Sequence, residues 1–94
     1  MNAGTKMKTI PLGVVVATPG VLALVPAEAI RTALSRHAMG DWGECQEEDW
    51  RENDLSLLEG VRLLSVYSAT DGTKFWVITE ADRSATTVLL PDEY

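Results

Sequence analysis

The chain is poor in the residues that most often carry chemistry. It has 94 residues, of which one is a cysteine, Cys45, and one is a histidine, His37. A single cysteine excludes an intramolecular disulfide, which fits a reducing compartment. One histidine and one cysteine beside scattered carboxylates give no ligand spacing typical of metal sites. Since no glycine-rich phosphate loop follows a strand either, the sequence predicts neither a metal nor a cofactor.

Basic residues are also scarce. Eight Lys and Arg stand against fourteen Asp and Glu, which gives a net charge of −6. Proteins that bind nucleic acid by neutralising phosphates need clustered Lys and Arg, so the charge argues against that class. A small basic pocket formed by Arg62, Lys74 and Arg83 stays open, because pocket charge and net charge differ. The acidic stretch 44–54 favours a solvated helix face over a docking site for a basic partner.

Long apolar runs are absent. The stretch from Ile10 to Val25 is interrupted by two prolines and two glycines, which makes it too broken for a membrane span. Lys6 and Lys8 before it and Ala27-Glu28-Ala29 after it resemble a secretion signal. The stretch nevertheless divides into a part of period two and a helical part, as a folded element does. We therefore expect a cytoplasmic protein that does not enter membranes.

The composition predicts one folded domain. With 46% apolar and 23% charged residues, the chain resembles ordinary globular proteins. We expect a flexible N-terminal tail over residues 1–9 and a single domain over residues 10–94. Alternating apolar residues predict a well-buried strand over residues 10–17.

Three helical segments follow in the sequence. Thr18-Pro19-Gly20 has the pattern of an N-cap followed by proline in the first turn, and it predicts a short helix from Val21 to Leu24. Ile30, Ala33, Leu34 and His37 then recur on one face of a second helix that ends at Gly40. Residues 47–59 predict a third helix, with Trp50, Leu57 and Leu58 directed inward.

The last third of the chain predicts a meander of antiparallel strands over residues 61–68, 74–80 and 84–90. Asp71-Gly72 is a typical hairpin turn between the first two. Phe75 and Trp76 alternate, so one of them faces away from the helices, and an exposed tryptophan would mark a contact surface. Together these segments predict an α+β domain, in which two to three helices pack on a small antiparallel sheet that includes the N-terminal strand.

Two places offer residues for catalysis or binding. His37 could act as a general acid or base tuned by Asp41 or by the helix C-terminus, although a helix-end histidine satisfied by a carbonyl or carboxylate is favoured. Near the second turn, Arg83 could hold a phosphate or carboxylate, and Glu80 could act as a base. A turn that bonds its own backbone is the commoner arrangement for such residues.

The chain resembles a family of short bacterial proteins labelled "plasmid-related protein", carried on plasmids and integrated elements. The resemblance covers nearly everything after residue 12, and the string around Glu80 to Ser84 is quite specific. It implies a setting, a mobile element in a bacterial cytoplasm, and no mechanism. The matching segments are residues 16–20, Arg36-His37, residues 40–43, Glu48-Asp49, Asn53, and residues 62–67, 76–84 and 89–94.

A second, weaker similarity is to the metal-independent, barnase-like ribonucleases, in which helices precede a meander. Their chemistry requires a base, an acid and a cation at the phosphate. The residues of the right types here are His37, Glu80, Arg62, Arg83 and Thr87.

These observations predict a small non-enzymatic interaction protein that binds a host or element-encoded macromolecule, with a protein as the expected partner. The predicted surface joins the loop Gly40–Gly43 to the turn Glu80–Ser84. Its binding residues are Asp41, Trp42, Glu80, Asp82, Arg83 and Ser84. The alternatives are a ribonuclease that uses His37 and Arg83, and a domain that binds a small anion near Thr18 and Arg83. Formation of a homodimer is left open.

Overall fold

The computed structural model describes residues 9–94, so the predicted N-terminal tail lies outside the described residues except for Thr9. Three helices and a four-stranded sheet form an α+β fold, as predicted. The strands are β1 (Val14–Ala17), β2 (Leu63–Ser68), β3 (Lys74–Thr79) and β4 (Ala85–Leu89). The helices are α1 (Pro19–Leu24), α2 (Ala27–Ala38) and α3 (Glu47–Glu59), and a 3₁₀ turn spans Pro91–Glu93.

The sheet has the strand order β1-β4-β3-β2. The predicted meander is confirmed, because β2 pairs with β3 and β3 with β4 in antiparallel fashion. The prediction of an antiparallel sheet fails only for β1, which runs parallel to β4. A parallel pair needs a long connection, and here the three helices and the meander lie between the two strands.

The prediction of a well-buried strand over residues 10–17 is wrong in extent and in burial. The strand begins at Val14, and the exposed fractions of Val14, Val15 and Val16 are 69%, 46% and 49%. These valines are exposed because β1 lies at the edge of the sheet, with a neighbouring strand on one side only. An alternating apolar pattern predicts a strand, but it does not show whether another element covers the side chains of that strand.

Helices α1 and α2 pack against one face of the sheet and form the main core with it. Thr18 caps α1 as predicted, since its Oγ1 accepts a hydrogen bond from the Val21 amide at 3.2 Å. A second, smaller cluster joins Ile10, Trp42 and Leu63. The buried residues of the main cluster are Val21, Val25, Ile30, Ala33, Tyr67, Ala69, Phe75, Val77 and Val88.

Helix α3 has the predicted bounds but not the predicted orientation. Leu57 and Leu58 are exposed and Trp50 is half-buried, whereas Asn53 and Ser56 are buried. The reason is that α3 lies against the outer edge of β2. There the Asn53 side-chain amide donates to the Leu64 carbonyl at 2.7 Å and accepts from the Leu64 amide at 3.1 Å. Asn53 thus bonds β2 as another strand would.

Replacing Asn53 with alanine is expected to lower the free energy of unfolding by about 2 kcal/mol, because it leaves two backbone groups of Leu64 without their partner. Chemical denaturation measures this loss. The matched control is Glu52→Ala, an exposed neighbour on the same helix, which should stay within about 0.5 kcal/mol of the wild type. Equal effects of the two substitutions would show that water satisfies Leu64 without cost.

Candidate functional site

His37 lies at the centre of a buried chain of polar groups. Its Nδ1 is 2.6 Å from Ser65 Oγ, and its Nε2 is 2.8 Å from Thr79 Oγ1. Thr79 Oγ1 in turn lies 2.7 Å from Thr86 Oγ1, which donates to the Leu12 carbonyl at 2.8 Å. His37, Ser65, Thr79 and Thr86 are fully buried. This chain connects α2 to three strands and to the segment before β1.

The order of hydrogen-bond donors in this buried network shows which imidazole nitrogen of His37 carries the proton. A hydroxyl has one hydrogen to donate, and that of Thr86 goes to the Leu12 carbonyl, so Thr79 must donate to Thr86. Thr79 Oγ1 therefore accepts from His37 Nε2–H. In the neutral ring, His37 Nδ1 then accepts from the Ser65 hydroxyl, so both ring nitrogens are bonded.

The environment of His37 favours this neutral form. Burial is the main cause and the positive charge of Arg83 the second, and together they lower the pKa of His37 to about 4. The ring of Trp42 packs edge-on against the imidazole, with 5.6 Å between the ring centroids. The interpretation of His37 as a structural, hydrogen-bonded histidine agrees with these contacts, but its partners are hydroxyls and not the predicted carbonyl or carboxylate.

The predicted loop Gly40–Gly43 is fixed between α2 and β2. Asp41 accepts from Arg36 Nε at 2.8 Å and from the Gly43 amide at 3.1 Å. Its bond to Arg36 is the largest cause that lowers the pKa of Asp41. Trp42 is fully buried and donates to Asp54 Oδ1 at 2.9 Å. Trp42, a predicted binding residue, therefore presents no side-chain surface to a partner.

The predicted turn Glu80–Ser84 is held together by its own groups. Arg83 has a φ of 62°, and its Nη1 donates to the carbonyls of Val61, Glu80 and Ala81 at 2.8, 3.0 and 3.2 Å. Asp82 accepts from the Ser84 amide at 3.0 Å. This is the self-bonding turn that the sequence pattern favoured. Glu80, Asp82 and Ser84 are exposed.

The loop attaches to the middle of β2, whereas the turn attaches to the segment just before that strand. The loop meets the strand at Val66, which forms a bridge with Gly43, while Arg83 bonds the carbonyl of Val61. Five residues of extended chain separate these points by about 16 Å. Within residues 9–94, no hydrogen bond or ion pair joins loop to turn. The structure therefore does not gather the six predicted binding residues into one cluster.

The predicted anion site near Thr18 already holds an internal carboxylate. Thr18 Oγ1 donates to Glu93 Oε1 at 2.6 Å, and the Leu90 amide donates to the same oxygen at 2.8 Å. The bond from Thr18 is the main cause that lowers the pKa of Glu93. The hydroxyl therefore holds the end of the chain against the start of α1.

The face of the sheet opposite the helices is the part of the molecule that is richest in groups suited to binding. Phe75 is buried on the helix side, whereas Trp76 is half-buried on the other face. The prediction that one of these two aromatics faces away from the helices is confirmed. We call this second face the open face. Its exposed or half-buried apolar residues are Val14, Val16, Leu64, Val66, Trp76 and Ala85.

An aromatic cluster lies across the open face. The ring of Tyr94 is edge-on to Trp76, with 5.6 Å between centroids. The Arg62 guanidinium carbon lies 5.4 Å from the centroid of Tyr94. Tyr94 remains 64% exposed. Sequence reasoning did not join these three residues, because nothing local brings the end of the chain onto β3.

The remaining groove and the single cysteine are less suited to binding than the open face. A groove of about 370 Å³ runs between α2 and the β2–β3 hairpin, but its Arg36 is already bonded to Asp41. Cys45 is half-buried, and burial is the main cause that raises the pKa of its thiol. Among residues 9–94, no three His, Cys, Asp or Glu side chains cluster as metal ligands would. In the same part of the chain, no helix has the length and apolar character needed to cross a bilayer.

Comparison with protein-family models, with curated proteins and with solved structures finds no match to this chain.

Proposed function

We propose that this chain is a small non-enzymatic interaction protein that binds a protein partner through its open face. The observation that carries the proposal is the cluster of Arg62, Trp76 and Tyr94 on the face of the sheet opposite α1 and α2. Arg, Trp and Tyr are the residue types that contribute most of the binding energy at protein interfaces. The half-buried apolar residues around the cluster supply the surface that excludes water from such a contact.

The charge of the chain favours a protein partner over nucleic acid. A net charge of −6 repels a phosphate backbone. The two basic residues described on the open face do not form a cluster that would offset this repulsion. There Arg62 lies over Tyr94, while Lys74 is paired with Glu44 at 2.7 Å. The mobile-element setting implied by the sequence resemblance is part of the same proposal, with a host or element-encoded protein as the partner.

The surroundings of His37 do not support the alternative that the chain is a ribonuclease. Such an enzyme needs a base that reaches the 2′-hydroxyl of its substrate, but both nitrogens of His37 are bonded to buried hydroxyls. Arg83 Nη1 is likewise engaged by three backbone carbonyls. His37 and Arg83, the two residues that the ribonuclease alternative depends on, are therefore both engaged within the fold.

Site-specific photo-cross-linking in bacterial cells tests the proposal. A photoreactive phenylalanine derivative replaces Tyr94 in one variant and Leu58 in the control, since Leu58 is 84% exposed on α3. We expect a discrete protein adduct from position 94 and none from position 58. Adducts from position 58 alone, or adducts that a nuclease removes, would contradict a protein partner at the open face.

Truncation of the tryptophan gives a further prediction. Trp76→Ala is expected to reduce the adduct from position 94 at least tenfold, because loss of a central aromatic anchor costs roughly 2 kcal/mol or more of binding energy. Trp50→Ala is the matched control, a half-buried tryptophan on α3. Quantitative blotting of the adduct, with circular dichroism to confirm folding, measures both. Equal reductions would place the contact elsewhere.

A further inference from the structure

We infer that two copies of this chain pair antiparallel through β1, which would join their sheets into one sheet of eight strands. The inference goes beyond the proposed function and does not depend on it. It starts from the contrast between the two edges of the sheet.

The β2 edge is closed within the chain. The Asn53 side chain bonds the amide and the carbonyl of Leu64. The Glu44 amide donates to the Val66 carbonyl at 2.7 Å, and the Val66 amide donates to the Trp42 carbonyl at 3.2 Å. The outward amides and carbonyls of Leu64 and Val66 are thus satisfied within the chain, so the middle of this edge cannot pair with another strand.

Among residues 9–94, the β1 edge has no partner other than β4, on its inner side. The amides of Val14 and Thr18 donate to Ser84 and Val88 of the neighbouring strand, so the even-numbered residues face β4. The amides and carbonyls of Val15 and Ala17 therefore point away from the sheet. Charged side chains, proline and bulges are the usual protections of an edge strand, and Val14–Ala17 contains none of them.

The register of the pairing is reciprocal. With Val16 on a two-fold axis, Val15 bonds Ala17 of the second copy, and Ala17 bonds Val15 of the second copy. This pairing forms four backbone hydrogen bonds, and it sets the exposed Val16 side chains of the two copies side by side. Because each chain has one open edge and one closed edge, the assembly ends at two copies and does not grow into a filament.

The charge distribution selects a second copy as the occupant. Residues 9–27 carry no charged side chain, in a chain whose net charge is −6. Within the part of the chain that the structure describes, the one carboxylate bonded to these segments is that of Glu93, which Thr18 binds just beyond β1. Two acidic copies therefore bring little like charge together where the strands meet. A foreign strand is normally selected by charged or pocketed side chains, and β1 offers neither for selection.

The contact is small. Each copy contributes a four-residue strand. Such an area falls below the ~1,200 Å² of standard interfaces, so we expect a dissociation constant on the order of micromolar. The dimer would carry two aromatic clusters on one continuous open face, and these could bind a partner with two sites.

Sedimentation equilibrium of the full chain over a range of micromolar concentrations tests the inference. We expect a monomer of 10.2 kDa in reversible equilibrium with a species of twice that mass. Val16→Lys should raise the dissociation constant at least tenfold, since it places two ammonium groups together on the axis. The control Leu58→Lys adds the same charge on α3 and should leave the equilibrium unchanged. A monomer at every concentration, an open series of larger species, or disruption by Leu58→Lys alone would overturn the inference.

Hydrogen exchange of the wild type gives a second measurement that no variant can confound by misfolding. Protection of the Val15 and Ala17 amides should rise with protein concentration, while that of the exposed Thr70 stays constant. Concentration-independent exchange at Val15 and Ala17 would also overturn the inference. Failure here is separable from failure of the proposed function. Trp76→Ala, on β3 and away from the β1 edge, should reduce the adduct at position 94 and leave the dimer intact.

Discussion

Replacing His37 with glutamine is expected to make the free energy of unfolding nearly independent of pH between pH 7 and pH 4.5. In the wild type, the unfolded chain protonates His37 below its ordinary pKa of 6.5, whereas the folded state resists until about pH 4. Over that window the unfolded state binds the extra proton, so stability falls as the pH falls. The expected loss for the wild type from pH 7 to pH 4.5 is about 2 kcal/mol.

Denaturation curves at several pH values measure this difference. Glutamine keeps an amide that can bond Thr79, so the variant is expected to fold, although less stably at pH 7 than the wild type. Below pH 4.5 both proteins should lose stability, because bonded carboxylates with lowered pKa values, such as Asp41 and Glu44, become protonated there. A wild type whose stability does not change between pH 7 and pH 4.5 would contradict a buried neutral His37.

Alanine at Gly43 is expected to cost at least three times as much stability as alanine at Gly60. Both glycines have positive φ, 74° and 72°, so both substitutions strain the backbone by about 1 kcal/mol. At Gly60 an added Cβ meets nothing, whereas at Gly43 it strikes the Val66 carbonyl oxygen and the Tyr67 ring. Relieving that clash breaks the bridge that closes the β2 edge, with a total cost of more than about 3 kcal/mol.

Chemical denaturation of the two variants isolates the steric contribution, because the backbone strain is common to both. Near-ultraviolet circular dichroism provides a second readout. Gly43→Ala should disturb the signal of the buried Trp42, and Gly60→Ala should not. Equal losses of stability would mean that the loop shifts without cost and that its contact with β2 is not needed.

Local chemistry made part of this fold predictable from the sequence. The Thr18-Pro19 start of α1, the bounds of α3 and the Asp71-Gly72 turn were all predicted from residues that act on their immediate neighbours. The spacing of His37 on an apolar helical stripe also indicated its burial correctly. In each case a few adjacent side chains or dihedral angles determine the outcome.

The predictions that proved wrong concern which part of the fold each strand or helix packs against. The valines of β1 have the pattern of a buried strand, but the strand order leaves them at an edge. Leu57 and Leu58 have the pattern of an inward helix face, but the Asn53 amide fixes α3 with these leucines outward. Periodicity reports composition on a face, while burial depends on a neighbour elsewhere in the chain.

The candidate site was predicted least well. Ser65, Thr79 and Thr86 meet His37 only because three strands align in register, and no local signal marks hydroxyls that will meet. Tyr94 reaches Trp76 only after the chain turns at Pro91–Glu93. The sequence indicated that Trp76 could face outward, but it did not indicate the arginine and the tyrosine that share its face.

Nitrogen-15 NMR of the imidazole tests most directly whether the lone histidine is structural. The proposal that the chain is a non-enzymatic protein depends on this, because a structural histidine takes no part in catalysis. The chain has one histidine, so a long-range proton–nitrogen spectrum contains a single imidazole. We expect a neutral ring protonated at Nε2 at pH 7 that begins to titrate only near pH 4. A ring that titrates near pH 6.5, or whose shifts respond to added nucleotide, would contradict this and would return His37 to the surface as a candidate acid or base.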